Sequence, residues 1–176
     1  MTVFTSRPDL TGHLEKEVRV YDFLEKEGIT YEGVEHPPAK SIDDCQNVDR
    51  ILSIHLCKNL FLCNRQETEF YLLMMPGEKQ FKTKDLSAQI QSSRLSFASA
   101  DYMEKFLDIT PGSVSVFGLM NDKENQVKLL IDQDLLTEDY VGCHPCINTA
   151  SLKIKTSDLL DRILPAFAHE PTIVTL

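Results

Sequence analysis

The chain has 176 residues, a length suited to one domain with a sizeable core, and its apolar and charged fractions are those of an ordinary globular protein. Its 18 Lys and Arg residues against 27 Asp and Glu residues give a net charge of −9, which argues against a protein that grips duplex nucleic acid through a broad basic face. It shows no apolar run of membrane-spanning length and no signal segment, so we expect a cytoplasmic protein that contacts neither membrane nor DNA, with its 5 cysteines as free thiols.

An irregular lead-in at residues 1–12 precedes alternating helix and strand signals, which we assign to a single domain covering residues 1–176. Helices are predicted over residues 13–27, after Ser41, and over residues 83–90, 100–107 and 158–168. Thr11 or Gly12 is the predicted cap of the first helix and Gly28 its end, and Ser99 is the predicted cap of the fourth. Strands are predicted over residues 29–36, 54–63, 70–75, 94–98, 126–132 and 172–176, and directly after Pro111-Gly112.

Strands and helices alternate along the chain, but many of the connections are short hairpins. A purely parallel sheet needs long crossover connections, so the pattern favours an α/β (α+β) fold. We predict a mixed, curled central sheet or partial barrel with helices outside it.

Residues 54–75 are predicted to form the central hairpin. The run at 70–75 is continuously apolar, as expected of a strand buried on both faces. The preceding strand carries Lys58 and Asn59 side by side. A buried ammonium is costly without an anionic partner, so Lys58 either reaches the rim of the sheet or points into a cleft that receives an anion.

The segment Cys143-His144-Pro145-Cys146 suggests a thiol-dependent redox or metal site. A structural zinc site needs two further ligands at compatible spacing, and a redox dithiol usually opens a helix, whereas no helical period follows Cys146. The sequence also contains no Gly-x-Ser-x-Gly elbow and no glycine-rich phosphate loop. These observations favour half-buried thiols and leave redox or metal chemistry as an alternative.

Several motifs resemble those of the YbaK/prolyl-tRNA-synthetase-associated editing domain, and most closely its free-standing PrdX/ProXp-ala branch. They are Lys58-Asn59-Leu60-Phe61-Leu62, Pro111-Gly112-Ser113 with Phe117-Gly118-Leu119, His144-Pro145 with Asn148-Thr149, Arg94-Leu95-Ser96-Phe97-Ala98 and His36-Pro37-Pro38. They lie in the family's order over nearly the whole chain. One departure concerns the Pro-Gly turn, because the family often has a proline where this chain has Val116.

The resemblance implies a trans-editing hydrolase that deacylates mischarged tRNA, with Ala-tRNA(Pro) as the expected substrate and no cofactor. Water attacks the aminoacyl ester with help from the ribose hydroxyl of the substrate. Catalytic roles are then expected for Lys58 beside a phosphate or ester oxygen, for the backbone at Gly112, and for His144 in the amino-acid pocket.

Substrate binding is expected at Asn59, Ser113, Asn148 and Thr149. The expected partners are the 3′ end of aminoacyl-tRNA, foremost tRNA(Pro), and prolyl-tRNA synthetase. A Cys-tRNA deacylase of the same family and a non-catalytic module that binds tRNA or a synthetase remain as alternatives.

Overall fold

The computed structural model describes residues 1–39 and 42–176. The strands are β1 (Val3–Phe4), β2 (Tyr31–Glu35), β3 (Cys57–Cys63), β4 (Phe70–Pro76), β5 (Ser96–Phe97), β6 (Val127–Asp132), β7 (Tyr140–Cys143), β8 (Ala150–Lys155) and β9 (Thr172–Val174). The separate α-helices are α1 (Glu15–Lys26), α2 (Ile42–Leu52), α3 (Thr83–Gln89) and α4 (Ala100–Leu107). A short 3₁₀ helix covers Val116–Asn121 and another covers Gln133–Thr137.

Two sheets form the framework. The first has the order β1-β2-β8-β7 and is antiparallel throughout. The second has the order β5-β3-β4-β6-β9, with antiparallel pairs around β3 and parallel pairs around β6. A single parallel bridge between Leu56 and Gly142 links them. The predicted mixed α+β fold is confirmed, although the strands form two open sheets rather than one curled sheet, and the described strands do not close into a barrel.

The predicted central hairpin is confirmed as β3 and β4, with Lys58 opposite Met75 and Asn59 opposite Met74. The β4 strand is buried on both faces, as its apolar run predicted. Leu72 and Met74 belong to the main apolar cluster, to which both sheets contribute, whereas Leu73 and Met75 belong to a second cluster that includes Leu86 of α3. Because both faces of β4 are covered, the position of β4 is fixed. Its pairing with β3 then sets the position and direction of the β3 side chains.

Most predicted helix ends agree with the structure. Gly28 has a φ of +62° just after α1, and Ser99 caps α4 by accepting a hydrogen bond from the Tyr102 amide. The predicted cap of α1 is wrong, because the cap position is Leu14, whose side chain accepts no hydrogen bond. Ser41, the predicted start of α2, lies outside the described residues.

The strand predicted directly after Pro111-Gly112 is wrong, because the 3₁₀ helix Val116–Asn121 occupies this segment. The Ser115 hydroxyl accepts a hydrogen bond from the Phe117 amide at 3.2 Å and so starts a helical turn. Val116, Phe117 and Leu119 are all buried, so the apolar pattern reflects complete burial rather than the alternating faces of a strand.

The C-terminal part of the chain follows the prediction. A continuous helical segment runs through Thr156–Asp158, a wider π-helical turn at Leu159–Ile163, and Leu164–Ala166. The final strand, β9, is an edge strand of the second sheet. The lead-in at residues 1–12 is irregular apart from β1, which pairs with β2. Over the residues that the structure describes, no helix is both long and apolar enough to cross a bilayer.

Candidate active site

A cavity of about 570 Å³ opens where the start of β3 meets the end of β7, beside the bridge that links the two sheets. Cys57, Lys58 and Asn59 line it from β3, and Cys143 and His144 line it from the other side. Residues from α2 and from the loop after β4 complete its rim. The junction between the sheets therefore gathers the polar residues of the central hairpin around one space.

Lys58 is half-buried and its ammonium donates a hydrogen bond to the backbone carbonyl of Lys79. Within residues 1–39 and 42–176, the Lys58 ammonium forms no ion pair with a carboxylate. A carbonyl satisfies one of the three N–H donors of an ammonium but does not neutralise its charge. Lys58 therefore brings to the cavity a positive charge that is not neutralised by a direct ion pair, which is the arrangement expected of an anion-binding group.

The loop that supplies this carbonyl is held by a second lysine. The Lys79 ammonium lies 2.7 Å from Oδ2 of Asp132 and 2.7 Å from Oδ2 of Asp134. Asp132 is fully buried at the end of β6, and its other oxygen accepts a hydrogen bond from the Asp134 amide at 3.2 Å. The pair ties the loop after β4 to the second sheet, and so fixes the carbonyl that orients Lys58.

Asn59 places an amide beside Lys58. Its Nδ2 lies 3.7 Å from Sγ of Cys57, whereas its Oδ1 is buried and has no hydrogen-bond partner among the described residues. A buried acceptor without a partner costs about 1–3 kcal/mol. An N–H or O–H donor of a bound substrate would remove that cost, so Asn59 is a candidate substrate contact.

His144 follows β7 directly. Its Nδ1 lies 2.7 Å from the Ala150 carbonyl, which can only accept, so Nδ1 carries the hydrogen. Burial lowers the pKa of His144 below 6.5 despite this hydrogen bond, and the His36 ring, 6.2 Å away, acts in the same direction. The ring is neutral at pH 7, which leaves Nε2 as a hydrogen-bond acceptor. The Ser115 hydroxyl donates to the His144 carbonyl at 2.5 Å and holds the loop in place.

The thiols near the site are held in their protonated form. Burial raises the pKa of Cys57 to about 11, that of Cys143 well above 9, and that of Cys146 to about 12. A thiol is a poor nucleophile and metal ligand until it ionises. Across the described part of the chain, no group of three or more His, Cys, Asp or Glu side chains is arranged to hold a metal ion. The geometry gives the redox and metal alternatives no support.

The remaining predicted residues lie beside the cavity rather than on it. Gly112 is exposed with a φ of +89°, and a Cβ built there would lie 3.9 Å from Nδ2 of Asn148. The Ser113 amide donates to the Thr110 carbonyl at 3.1 Å, and the Thr149 carbonyl accepts from the His36 amide at 3.0 Å. The structure therefore brings Lys58, Asn59 and His144 together, and it places Gly112, Ser113, Asn148 and Thr149 on two loops that contact each other next to them.

Sequence analysis missed a group of carboxylates that line the same cavity as Lys58. Its members are Asp49, Glu78, Asp134 and Glu138. Asp49 accepts a hydrogen bond from the Leu56 amide at 3.1 Å, and burial raises the pKa of its carboxyl group. These residues come from three separate segments, and no spacing along the chain groups them. Among the described residues, the cavity lining thus contains one lysine together with four carboxylates.

Comparisons with known proteins identify the family of the chain. The family model of the aminoacyl-tRNA editing domain matches residues 36–162. The chain is 33% identical over 136 residues to prolyl-tRNA editing protein ProX of Acetoanaerobium sticklandii, covering 77% of this chain and 83% of that protein. It is 27% identical over 164 residues to prolyl-tRNA synthetase associated domain-containing protein 1 of Danio rerio, covering 92% and 87%.

A similar fold occurs in solved structures. A crystal structure of a candidate trans-editing enzyme for prolyl tRNA synthetase superposes with a TM-score of 0.67 at 15% identity, covering 93% of this chain and 98% of that one. The hypothetical protein APE2540 superposes with a TM-score of 0.65 at 16% identity, covering 88% and 96%. At such low identity these matches establish the fold alone.

Proposed function

Because the chain belongs to the aminoacyl-tRNA editing domain family, we propose that it is a trans-editing hydrolase that deacylates mischarged tRNA, with Ala-tRNA(Pro) as its substrate. The observation that carries the proposal is the Lys58 ammonium, which faces the cavity and is held by a carbonyl rather than by a carboxylate. The partner is the 3′ end of an aminoacyl-tRNA, and the setting is the cytoplasm. Prolyl-tRNA synthetase, which produces the mischarged tRNA, is the expected protein partner.

The need for such an enzyme follows from the limits of binding selectivity. A synthetase pocket built for a larger side chain rejects a smaller one poorly, because a methylene group is worth only about 1–3 kcal/mol. A second site that accepts the smaller aminoacyl group and excludes the correct one restores fidelity. Alanine attached to a proline tRNA is a case of this kind.

In the proposed complex, Lys58 binds a phosphate or ester oxygen of the terminal adenosine. A phosphate brings the anion that the ammonium lacks in the protein itself. The carboxylates that also line the cavity disfavour a second phosphate there and instead suit the positively charged amino group of the aminoacyl moiety. The charges therefore define one direction in which the substrate can enter.

Asn59 and His144 then contact different parts of the aminoacyl ester. The unpartnered Oδ1 of Asn59 accepts a hydrogen bond from a ribose hydroxyl or from the amino group. The His144 ring bounds the amino-acid pocket and limits the size of the side chain that fits. Because its Nε2 can accept a hydrogen bond, it also orients the attacking water.

The backbone at Gly112 is the proposed site that holds the ester carbonyl or the water. The Ser113 amide is already bonded to Thr110, whereas the Gly112 amide has no hydrogen-bond partner in the described residues. Glycine also permits the close approach that such a contact requires. Ser113, Asn148 and Thr149 contribute by shaping the loops on either side.

The reaction is an ester hydrolysis with no enzyme-bound intermediate. The oxygen of water bonds to the carbonyl carbon, the bond from that carbon to the ribose oxygen breaks, and the ribose oxygen takes up a proton. The resemblance to the editing family implies that the neighbouring ribose hydroxyl assists the attack. The protein supplies position and electrostatic stabilisation.

The test is deacylation of a panel of mischarged tRNAs by Lys58→Ala, with Lys128→Ala as the matched control. Lys128 also lies on a strand of the second sheet, but its ammonium is exposed and paired with Glu69 at 2.7 Å. Loss of one electrostatic donor costs about 10²–10³-fold in kcat, so Lys58→Ala should lose that much on Ala-tRNA(Pro) while Lys128→Ala stays active.

Three results would count against the proposal. Full activity of a folded Lys58→Ala variant would remove Lys58 from the mechanism. Preferential hydrolysis of Cys-tRNA would assign the chain to the competing specificity. Binding of tRNA without multiple turnovers by the wild-type protein would identify a non-catalytic module.

A further inference from the structure

A second depression, of about 650 Å³, adjoins the cavity on the outer side of Lys58. Three lysines and two aromatic residues dominate its lining: Lys58, Phe81, Lys82, Lys84 and Phe97, here called the lysine–aromatic patch. Leu60 and Thr83 complete the lining, which includes no Asp or Glu among the described residues. In a chain with a net charge of −9, this is a local reversal of sign.

Phe97 is the exposed aromatic residue of the patch. It lies on the edge strand β5 and its relative exposure is 65%, although Leu95, two residues earlier, is buried. The Phe81 ring is half-buried, with its centroid 6.4 Å from that of Phe97 and its plane inclined by 65°. An exposed face beside a fixed aromatic edge is a platform on which a flat ring can stack.

The lysines of the patch are available to a ligand. Over the described residues, neither Lys82 nor Lys84 forms an ion pair or a side-chain hydrogen bond, in contrast to Lys79 and Lys128, whose ammonium groups bind carboxylates. The acidic residue next in sequence, Asp85, does not line the depression. Positive charge and an exposed aromatic ring thus occur together in a depression that no described carboxylate lines.

We propose that the lysine–aromatic patch binds the unpaired nucleotides that precede the terminal adenosine of the tRNA, with a base stacked on Phe97 and phosphates paired with Lys82 and Lys84. Aromatic faces and basic side chains are the two components of single-strand recognition. Lys58 lines both the patch and the cavity, so a strand that crosses the patch leads directly to the proposed catalytic site. This inference rests on the proposed function and extends it to the rest of the 3′ end.

We expect the site to bind RNA through the phosphate backbone and through base stacking, without selecting a base sequence. A stacked base gains energy from its flat face, which every base has, and the lysines contact phosphates. Such a site would serve any tRNA with a single-stranded 3′ end. Selection of the correct tRNA would then have to occur elsewhere on the protein or on the synthetase.

The first test compares Phe97→Ala with Phe97→Trp and with Ile173→Ala. Ile173 is a matched control, because it is an apolar residue of 46% exposure on β9, the opposite edge strand of the same sheet. Phe97→Ala should raise KM for Ala-tRNA(Pro) about tenfold, from the loss of one stacked base, and the Trp variant should restore it. Ile173→Ala should behave as wild type.

The second test uses adenosine esterified with alanine, which lacks the preceding nucleotides. Phe97→Ala should leave KM for this substrate unchanged, in contrast to the increase of about tenfold on the tRNA. The double variant Lys82→Ala/Lys84→Ala should reduce the slope of log affinity against log salt by about 1.4 for a short single-stranded RNA ending in CCA, from two lost phosphate contacts.

These outcomes separate the two proposals. If the wild-type protein hydrolyses no aminoacyl-tRNA but binds the RNA in a Phe97-dependent way, the proposed function fails and the patch stands. If it hydrolyses Ala-tRNA(Pro) with KM and salt slope unchanged in both variants, the patch inference is overturned. Equal losses on tRNA and on alanyl-adenosine would also overturn it, because they would indicate a disturbed cavity.

Discussion

Lys79→Met tests whether the Lys79 ion pair positions the proposed catalytic lysine. The substitution keeps an unbranched side chain but removes the ammonium that lies 2.7 Å from both Asp132 and Asp134. Asp132, which is fully buried, would keep only the hydrogen bond from the Asp134 amide. The carbonyl of residue 79 would remain, but the loop that carries it would lose its ion pair with the end of β6.

The cost in stability follows from the burial of the partners. Breaking a fully buried pair costs about 3–5 kcal/mol, and an exposed pair contributes about 0–1 kcal/mol. Because the Lys79 side chain is 23% exposed and Asp132 is 0% exposed, we expect a loss of about 2 kcal/mol. For a chain of this size that corresponds to a fall in Tm of about 4–8 °C.

The matched control is Lys128→Met, which breaks a lysine–carboxylate pair of the same 2.7 Å length. Its two side chains are 58% and 44% exposed, so the expected loss is at most about 1 kcal/mol. Thermal unfolding followed by circular dichroism measures both variants. A Lys79→Met protein as stable as Lys128→Met would show that Asp132 does not depend on this partner.

The effect on activity separates positioning from stability alone. At a temperature where both variants are fully folded, Lys79→Met should lower kcat about tenfold with little change in KM, because a misplaced catalytic group slows the chemical step. In a Lys58→Ala background the same substitution should have no further effect on kcat. If Lys79→Met lost stability but kept the wild-type kcat, the reasoning that Lys79 acts through Lys58 would be refuted.

Three further predictions concern the loops beside the cavity. Burial keeps the pKa of His144 below 6.5, so the folded protein binds fewer protons than the unfolded chain as pH falls through 6.5. The free energy of unfolding should therefore decrease in this pH range. His144→Gln should make that decrease smaller when unfolding is measured as a function of pH. Separately, His144→Ala should admit bulkier aminoacyl groups, and an unchanged substrate profile would exclude His144 as the size filter. Gly112→Ala, at a φ of +89°, should cost about 1–2 kcal/mol and lower deacylation, whereas Gly12→Ala, at +79° and outside the site, should cost the same without affecting activity.

The sequence predicted the elements whose signals are local. The run at β4 is apolar at every position because both of its faces are covered, and that coverage is visible in the residues themselves. Ser99 and Gly28 mark helix ends through hydrogen bonding and backbone conformation that depend on a few neighbouring residues. Elements of this kind need no information from distant parts of the chain.

The segment after Gly112 shows where local reading fails. Val116, Phe117 and Leu119 have the composition of a strand, but a strand also needs a partner with free backbone groups. The Ser115 hydroxyl instead accepts from the Phe117 amide and turns the chain into a 3₁₀ helix. The same hydroxyl donates to the His144 carbonyl, a contact between residues 29 positions apart. Tertiary contacts of this kind are not encoded in the spacing of apolar residues.

Only part of the candidate site could be predicted from the sequence, because some of its contacts join residues that are distant along the chain. Lys58 and Asn59 stand out because polar residues conflict with an apolar strand, and His144 stands out through the resemblance of His144-Pro145 to the editing family. The Lys79–Asp132 pair joins residues 53 positions apart, and the acceptor for Lys58 is a backbone carbonyl that any residue could supply. No residue-type pattern could have revealed either contact.

The different hydrogen-bond partners of the two lysines explain how an ammonium near the start of β3 can remain available to an anionic ligand. The Lys79 ammonium forms ion pairs with two carboxylates, so its charge is neutralised within the protein. Lys58 has a neutral acceptor instead. Two unit charges of opposite sign 4 Å apart near a protein surface attract each other by about 4 kcal/mol. If Lys58 formed an ion pair with a carboxylate, a phosphate could bind only after displacing that carboxylate or overcoming its attraction. A carbonyl holds the side chain in place without that competition, because it orients the ammonium but leaves its charge to the ligand.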